Sequence, residues 1–260
     1  MKIENLEELP NLRIAIFSNN QIKTIENLDF NVKLEELNLE RNSISKIEGL
    51  DKLKKLKKLE LGGNKISKIQ NIQFLKNLMQ LSIEDNQISS LSKFPQLPNL
   101  MEIYMSNNCL EEIREIMNLK NLLRLIILDL SGNALSKDPH FRIYSIFHTK
   151  KLKVLNGIPI ESNEQHVARE MFVGRLTEEI LESRLNGNSL KDVKILDLSN
   201  SKLKDFDDIF TIKNFPKLRE LNLSNNYFTS MRIFGMFPSL KILSLSKNRI
   251  ETLLITNNIQ

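Results

Sequence analysis

The sequence has few of the residues that mark disulfide frameworks, low-complexity chains or membrane spans. Its 260 residues include 1 Cys and no Trp, with only 8 Gly and 7 Pro. The single thiol, Cys109, cannot form an intramolecular disulfide or a cysteine zinc site, so we expect a reducing compartment. No apolar run approaches the roughly 18–20 residues of a membrane span. The sequence therefore predicts a soluble, cytoplasmic protein that does not bind membranes.

Signals of catalytic or nucleic-acid chemistry are also missing. The net charge of +5 is spread along the chain, and this mild basicity does not indicate direct contact with nucleic acid. The three histidines, His140, His148 and His166, have no metal-ligand spacing to one another or to Cys109. Gly62 and Gly63 lack the lysine spacing of a phosphate-binding loop. We predict no catalytic residue, no metal site and no cofactor, and hence a protein that is not an enzyme.

Leucine and asparagine are abundant, and they recur with a fixed period. The chain contains 43 Leu and 30 Asn. One set of asparagines is spaced by 22 residues and then by 25: Asn20, Asn42, Asn64, Asn86, Asn108 and Asn133. Apolar residues precede each of them by eight, five and three positions, with Ala15 and Phe17 in the first, looser unit, and follow the first five by two, five and eight. The pattern returns around Ser201, Asn226 and Asn248.

This spacing is identified as that of the short class of leucine-rich repeats, LxxLxLxxNxI. The two leucines of LxL point to one side of an extended chain, which indicates a short strand in each unit. The later apolar positions return the chain in 3₁₀-like steps, and the Asn amide can bond the backbone of adjacent coils. We therefore predict an α/β leucine-rich-repeat solenoid with a parallel concave sheet and a short 3₁₀ or helical convex side.

Two arrays are predicted, with a cap and a helix between them. The first array takes residues 1–135 in six repeats, the cap 136–160, the connecting helix 161–188 and the second array 189–260 in three repeats. Apolar residues spaced by four or five positions indicate that the helix runs over 162–185. Because the last repeat ends near Leu253 with no second cap, we expect the second array to be incomplete.

The segment after Asn133 resembles the cap that closes short-class arrays. The matching residues are Phe141, Arg142, Ile146, Leu152, Leu155 and Gly157. Ala134 and Asn156 stand where such caps usually carry Pro and Asp. Together with Tyr144 and Phe147, the large apolar groups of this segment can cover the last coil. We expect them to close the apolar end of the first array.

A narrower resemblance lies in the C-terminal half. The run AREMFVGRLTEEILESRL (168–185), followed by ILDLSNSKL, FPKLRELNLSNNYFTS and FPSLKILSLSKNRIETL, resembles leucine-rich repeat-containing protein nine, a family of long, multi-array proteins of ciliated organisms. Over 1–130 the sequence is equally similar to other short-class families, among them the phosphatase-1 regulatory subunit and the axonemal dynein light chain. The closer resemblance implies a scaffold in the axoneme of a cilium or flagellum.

The binding surface is predicted on the concave strand face of the first array, because the repeat does not dictate its residues. The five positions facing that side hold eight acids and four bases, the bases being Arg13, Arg41, Lys57 and Lys58. The candidate protein-binding residues are Glu36, Glu40, Glu60, Glu84, Glu102, Tyr104 and Asp129, with Met79 and Met101 as apolar anchors. In the second array, bases outnumber acids at the same positions, which indicates a second partner.

The predicted function is a non-catalytic protein–protein interaction scaffold. Its expected partners are other proteins, axonemal components of a large complex, and not nucleic acid. Two alternatives stay open at this point. One is a regulatory subunit of a protein phosphatase, and the other is an adaptor in a nuclear ribonucleoprotein that resembles the spliceosomal A-prime protein.

Overall fold

The computed structural model describes residues 2–176, 178–185, 187, 189–206, 210–229 and 237–251. The chain divides into two compact units, residues 1–170 and 171–260. The boundary between the units falls within the segment 161–188. Leu253, the last apolar position of the final repeat, lies outside the described residues.

The first unit is built on one sheet of eight short strands. In chain order these are β1 Ile14–Ile16, β2 Glu36–Asn38, β3 Lys58–Glu60, β4 Gln80–Ser82, β5 Glu102–Tyr104, β6 Ile127–Asp129, β7 Val154–Leu155 and β8 Ile158–Pro159. Strands β1 to β7 are parallel, and β8 returns antiparallel to β7. The predicted parallel sheet and leucine-rich-repeat solenoid are confirmed.

The core of the first unit is a stack of equivalent apolar side chains. The register places Leu37 opposite Leu59, and Leu59 opposite Leu81, so the same position of each coil contacts its neighbour. All three side chains are buried. Each coil supplies too few apolar groups to fold alone, and stacking makes their contacts continuous.

Turns with backbone bonds three residues apart return the chain on the convex side. In one coil, Leu53 N–H bonds the Leu50 carbonyl at 3.1 Å, and Leu56 N–H bonds the Leu53 carbonyl at 3.0 Å. Full 3₁₀ segments occupy Ile113–Leu119 and Ala134–Lys137. These steps match the short convex side predicted from the spacing.

The repeated asparagines tie each coil to the one before it. Asn86 Oδ1 accepts from Ile66 N–H at 2.9 Å, and its Nδ2 donates to the carbonyls of Leu61 and Ile83 at 3.0 and 3.2 Å. The same bonds recur in the other coils, at Asn42, Asn64, Asn108 and Asn133. The predicted role of the Asn amide is therefore confirmed. It satisfies buried backbone groups that the irregular turns leave unpaired.

Helix α1, Phe141–His148, forms the cap of the first unit. Phe141, Tyr144 and Ile146 are buried, and the helix packs against both 3₁₀ segments of this unit. Asn156 replaces the usual Asp without losing its acceptor, since its Oδ1 accepts from Leu130 N–H at 2.8 Å. Large apolar side chains thus cover the last coil, as the sequence predicts.

The single helix predicted over 162–185 is wrong. Helix α2 covers Ser162–Phe172, a short strand β9 covers Arg175–Leu176, and helix α3 covers Glu178–Leu185. Gly174 explains the break, because its φ of +86° is a left-handed conformation that ends a helix. Leu176 is buried in the core of the second unit, so the apolar spacing reflected a strand rather than a helix face.

The second unit repeats the solenoid in smaller form. Strands β10 Ile195–Asp197, β12 Glu220–Asn222 and β13 Ile242–Ser244 form a parallel sheet, and β11 Asp205–Phe206 pairs with β9. Phenylalanines supply much of this core, with Phe206 stacked on both Phe210 and Phe228. Among the helices that the structure describes, none is long and apolar enough to span a membrane.

Ser201 occupies the Asn position of the first coil in the second unit. The Asn amide normally bonds the preceding coil of the array, and this coil begins its own array. The Arg184 guanidinium of α3 instead donates to the Ser199 carbonyl and to Ser201 Oγ, each at 3.1 Å. Helix α3 therefore hydrogen-bonds the edge of this sheet, where an earlier repeat would otherwise lie.

Candidate protein-binding face

The concave face of the first unit is formed by the residues that flank the buried centre of each strand. The first concave column, in register across β1 to β6, is Ile14, Glu36, Lys58, Gln80, Glu102 and Ile127. The second concave column is Ile16, Asn38, Glu60, Ser82, Tyr104 and Asp129. Neighbouring members of a column are about 4.8 Å apart, the usual spacing of paired strands.

The structure brings the seven predicted site residues to this one sheet. Glu36 and Glu102 belong to the first concave column, whereas Glu60, Tyr104 and Asp129 belong to the second. Glu40 and Glu84 follow their strands by two residues, in equivalent positions of alternate coils. Whether these residues bind a partner remains a prediction.

Three of the four bases on this face are already paired with acids. Glu35 lies between Arg13 and Lys57, with N–O distances of 2.5 and 2.6 Å. Lys58 Nζ lies 2.7 Å from Glu60 Oε1, and Asn38 Nδ2 donates to the other Glu60 oxygen at 2.8 Å. These ion pairs cancel part of the charge of the eight acids and four bases. The remaining negative charge is concentrated on the other acids of the face.

Glu84 lies at the centre of this excess charge. Its carboxylate lies over Gly62, where an added Cβ would be 2.7 Å from Glu84 Oε1. The other oxygen, Oε2, is buried and has no hydrogen-bond partner. Burial raises the pKa of the Glu84 carboxyl, a hydrogen bond from its own backbone opposes that rise, and the negative charges of Glu40, Asp85 and Glu60 add to it. Gly62 thus leaves the space in which an acid with one unbonded oxygen and no ion pair among the described residues rests on the sheet.

Two other side chains respond to the same negative field. Burial raises the pKa of Tyr104, as do its hydrogen bond to Glu102 (3.0 Å from Oη to Oε2) and the charges of Asp129 and Glu84. Lys58 has a raised pKa through its bond to Glu60 and the nearby charges of Glu36 and Glu40. The middle of the face is therefore a region of negative potential.

An apolar strip borders the first concave column. Met79, Met101 and Ile126 occupy equivalent positions of three successive coils, joined by backbone bonds of 2.8 Å from each N–H to the preceding carbonyl. Leu123 is 72% exposed a few residues before β6. Sequence reasoning identified the two methionines and missed Ile126, although Ile126 is the next member of the same register.

We expect Glu84→Gln to stabilise the first unit at pH 7. The raised folded-state pKa means that ionised Glu84 disfavours folding, and this penalty is complete only above that pKa. The gain in unfolding free energy should be at most about 1 kcal/mol, because solvent screens a partly exposed carboxylate. Chemical denaturation at pH 7, and again at a pH below the ordinary carboxyl pKa of 4.5, measures it.

The matched control for this measurement is Glu36→Gln, on the same face but exposed. This variant should give no gain, since Glu36 lies near the cation Lys58. The Glu84→Gln advantage should shrink as the pH falls and vanish below the ordinary carboxyl pKa of 4.5, where the wild-type carboxyl is protonated in both states. A loss of stability at pH 7 would show that the Glu84 charge has a partner.

The cysteine, histidine and glycine positions considered in the sequence analysis do not form a cluster of reactive groups among the described residues. Cys109 is exposed, and the nearest acid atoms to His140 and His166 are at 3.6 Å (Asp138) and 3.5 Å (Glu170). Within the described ranges, no three His, Cys, Asp or Glu side chains are placed to hold a metal ion. Gly63 has a φ of +65° and serves the turn before Asn64 rather than a phosphate site.

The stacked coils, the repeated asparagines that bond adjacent coils and the concave parallel sheet define a solenoid of leucine-rich repeats. A sequence model of the leucine-rich repeat family matches residues 31–184, and a second leucine-rich repeat model matches 191–250. The chain belongs to the leucine-rich repeat family. This fold supports protein–protein interaction, because its concave face offers an extended surface.

Curated relatives match only part of their own length. Tubulin-specific chaperone E of Xenopus laevis is 30% identical over 149 residues, which are 52% of this chain and 28% of that protein. Immunoglobulin domain and leucine-rich repeat-containing protein 2 of Caenorhabditis elegans is 38% identical over 78 residues, 29% of this chain and 10% of that protein. The chain thus spans less than a third of the length of these relatives.

Solved structures of bacterial repeat proteins share the fold. An internalin of Listeria monocytogenes has a TM-score of 0.50 at 21% identity, and the superposed region covers 94% of this chain and 76% of the internalin chain. A leucine-rich-repeat protein of Leptospira interrogans has a TM-score of 0.51 at 20% identity, covering 96% and 64%. These similarities concern architecture alone.

Proposed function

We propose that this chain is a non-catalytic scaffold that binds another protein through the concave face of its first unit. The observation that carries the proposal is the Glu84 carboxylate, whose buried Oε2 has no hydrogen-bond partner and whose pKa is raised. A cation of a bound partner would relieve the penalty of burying the Glu84 charge. The contact residues are Glu36, Glu40, Glu60, Glu84, Glu102, Tyr104 and Asp129.

The chemistry of the face favours a partner that is both basic and apolar. Acids dominate the centre, whereas Met79, Met101 and Ile126 form an apolar strip along one side. A segment with lysines or arginines on one side and apolar groups on the other would satisfy both. Aromatic and methionine side chains are typical anchors of such interfaces, and charges set orientation and association rate.

For the wider setting, we propose a structural component of an axonemal assembly in a cilium or flagellum. The resemblance to a family of ciliated organisms, clearest over about residues 130–253, motivates this setting. The similarity of part of the chain to a tubulin-specific chaperone supports a cytoskeletal partner. Axonemal proteins of a large complex are the proposed binding partners.

Charge reversal at Glu40 and Glu84 tests the binding face. Neither side chain has an ion pair in the described structure, so Glu40→Lys with Glu84→Lys changes the charge without breaking one. Captured partners from a ciliated-cell extract, quantified by mass spectrometry, should fall by about tenfold or more. Circular dichroism of the variant checks that the fold is kept.

The control carries the same charge change outside the strands, at Asp51→Lys with Glu111→Lys, both exposed in the turns. This variant should retain the partners of the wild type. Equal capture by the two variants would place binding away from the concave face. Weaker capture by the control alone would assign it to the convex side.

A further inference from the structure

Three basic residues form a column on the sheet of the second unit. Lys194, Arg219 and Lys241 each lie directly before a strand, in equivalent positions of three successive coils. Arg219 N–H bonds the Lys194 carbonyl at 2.8 Å, and Lys241 N–H bonds the Arg219 carbonyl at 2.7 Å. These bonds hold the three backbones at the spacing of paired strands, about 4.8 Å. Three like charges are therefore stacked in line.

This basic column is not neutralised within the part of the chain that the structure describes. All three side chains are exposed, and no carboxylate there forms an ion pair with them. Asp192, the acid nearest in sequence to Lys194, forms its ion pair with Lys217 at 2.7 Å, and the charge of Lys194 adds to the lowering of the Asp192 pKa without contact between the two. Charges of one sign at this spacing repel one another, and an anionic ligand relieves that repulsion.

The equivalent column of the first unit shows how such bases are otherwise accommodated. There Arg13 and Lys57 flank Glu35, which accepts from both side chains. The two bonds to Lys57 and Arg13 lower the pKa of Glu35. In the second unit the middle member is Arg219, so the column lacks the acid that completes it. An external acid can take that place.

Apolar side chains lie beside the basic column. Ile195 of β10 and Ile242 of β13 are 66% and 55% exposed, and both are in register with Glu220 between them. They stand two strands apart, about 10 Å, on the same sheet. A purely electrostatic ligand would leave these isoleucines in water. A peptide with apolar residues among its acids would cover them.

We propose that this sheet face binds an acidic protein segment. Aspartates or glutamates of the segment pair with Lys194, Arg219 and Lys241, and apolar side chains contact Ile195 and Ile242. Its chemistry is opposite to that of the first unit, so the two sheets select different partners. The two interactions rest on different residues and can be tested separately.

The test measures binding of a defined peptide to the full chain. The probe is a short fluorescent peptide rich in glutamate with two leucines, and its control has glutamine in place of each glutamate. Fluorescence anisotropy should detect the acidic peptide, with affinity falling as salt rises. Arg219→Glu with Lys241→Glu should weaken binding by about tenfold or more. Replacing Ile195 and Ile242 by serine should weaken it by a smaller factor.

The matched control reverses two bases elsewhere in the same unit, Lys191→Glu with Lys213→Glu, both exposed and outside the sheet. It should leave the affinity within about twofold. Equal loss in both variants would reduce the effect to overall charge and overturn the proposal. So would failure of the wild type to bind the acidic peptide, or equal binding of the glutamine peptide. Preference for a single-stranded RNA oligonucleotide, measured in the same assay, would also overturn it.

Discussion

Phe141→Ala should lower the free energy of unfolding of the first unit by about 3–5 kcal/mol. The ring is only 5% exposed and lies at the start of α1, the helix that covers the last coil. Its removal leaves a cavity and opens the apolar end of the stack to water. Chemical denaturation followed by circular dichroism measures the change, and a hydrophobic dye should bind the variant.

Phe74→Ala provides the matched control, since it makes the same substitution at a ring that is 47% exposed. That variant should lose about 1 kcal/mol or less. Wild-type stability of Phe141→Ala, with no new dye binding, would show that the cap does not close the array. The segment 136–160 would then be a loose connection.

Asn86→Leu should cost about 2–4 kcal/mol. Leucine has a similar volume but cannot bond the Ile66 N–H or the Leu61 carbonyl, which Asn86 satisfies in the preceding coil. Each buried group left without a partner costs about 1–3 kcal/mol. Denaturant unfolding measures the loss, and hydrogen exchange should increase first in the coils on either side of Asn86.

Asn77→Leu is the matched control for the substitution of the buried repeat asparagine Asn86. Asn77 also bonds a backbone carbonyl 23 residues away, that of Lys54 at 2.8 Å, but the bond is exposed. Water can replace it, so the expected loss is below about 1 kcal/mol. A similar loss of unfolding free energy at both positions would mean that the buried asparagine stabilises the fold no more than an exposed one.

The solenoid could be predicted from sequence because each coil repeats the same buried positions. Asn42, Asn64 and Asn86 identify the period, and the leucines around them become the core. The cap followed from large apolar residues placed after the last regular coil. Such predictions succeed because burial constrains side-chain type at every repeat.

The break between α2 and α3 could not be predicted from the apolar spacing alone. Phe172 and Leu176 fit an apolar helical spacing, but Gly174 between them adopts a left-handed conformation. Its effect depends on Leu176 joining the core of the second unit, where β9 pairs with β11. Tertiary packing overrode a periodic signal that was short and irregular.

The charge of the face could be predicted only in outline. Residues 22 apart are neighbours, so the Arg13–Glu35–Lys57 stack was visible in the spacing, yet a sum over positions concealed it. The environment of Glu84 was not visible, because it depends on the carboxylate folding over Gly62. Rotamer choice on an open face is not encoded by a repeat pattern.

Site-specific photo-cross-linking tests the central claim, that the first concave face binds a protein. A photoreactive phenylalanine analogue replaces Tyr104, in the second concave column, or Phe74, exposed outside the strands. In ciliated-cell extract, we expect a discrete cross-linked product from position 104 that disappears in the Glu40→Lys, Glu84→Lys background. Position 74 should not give that product. The same product from position 74, with none from position 104, would contradict the account.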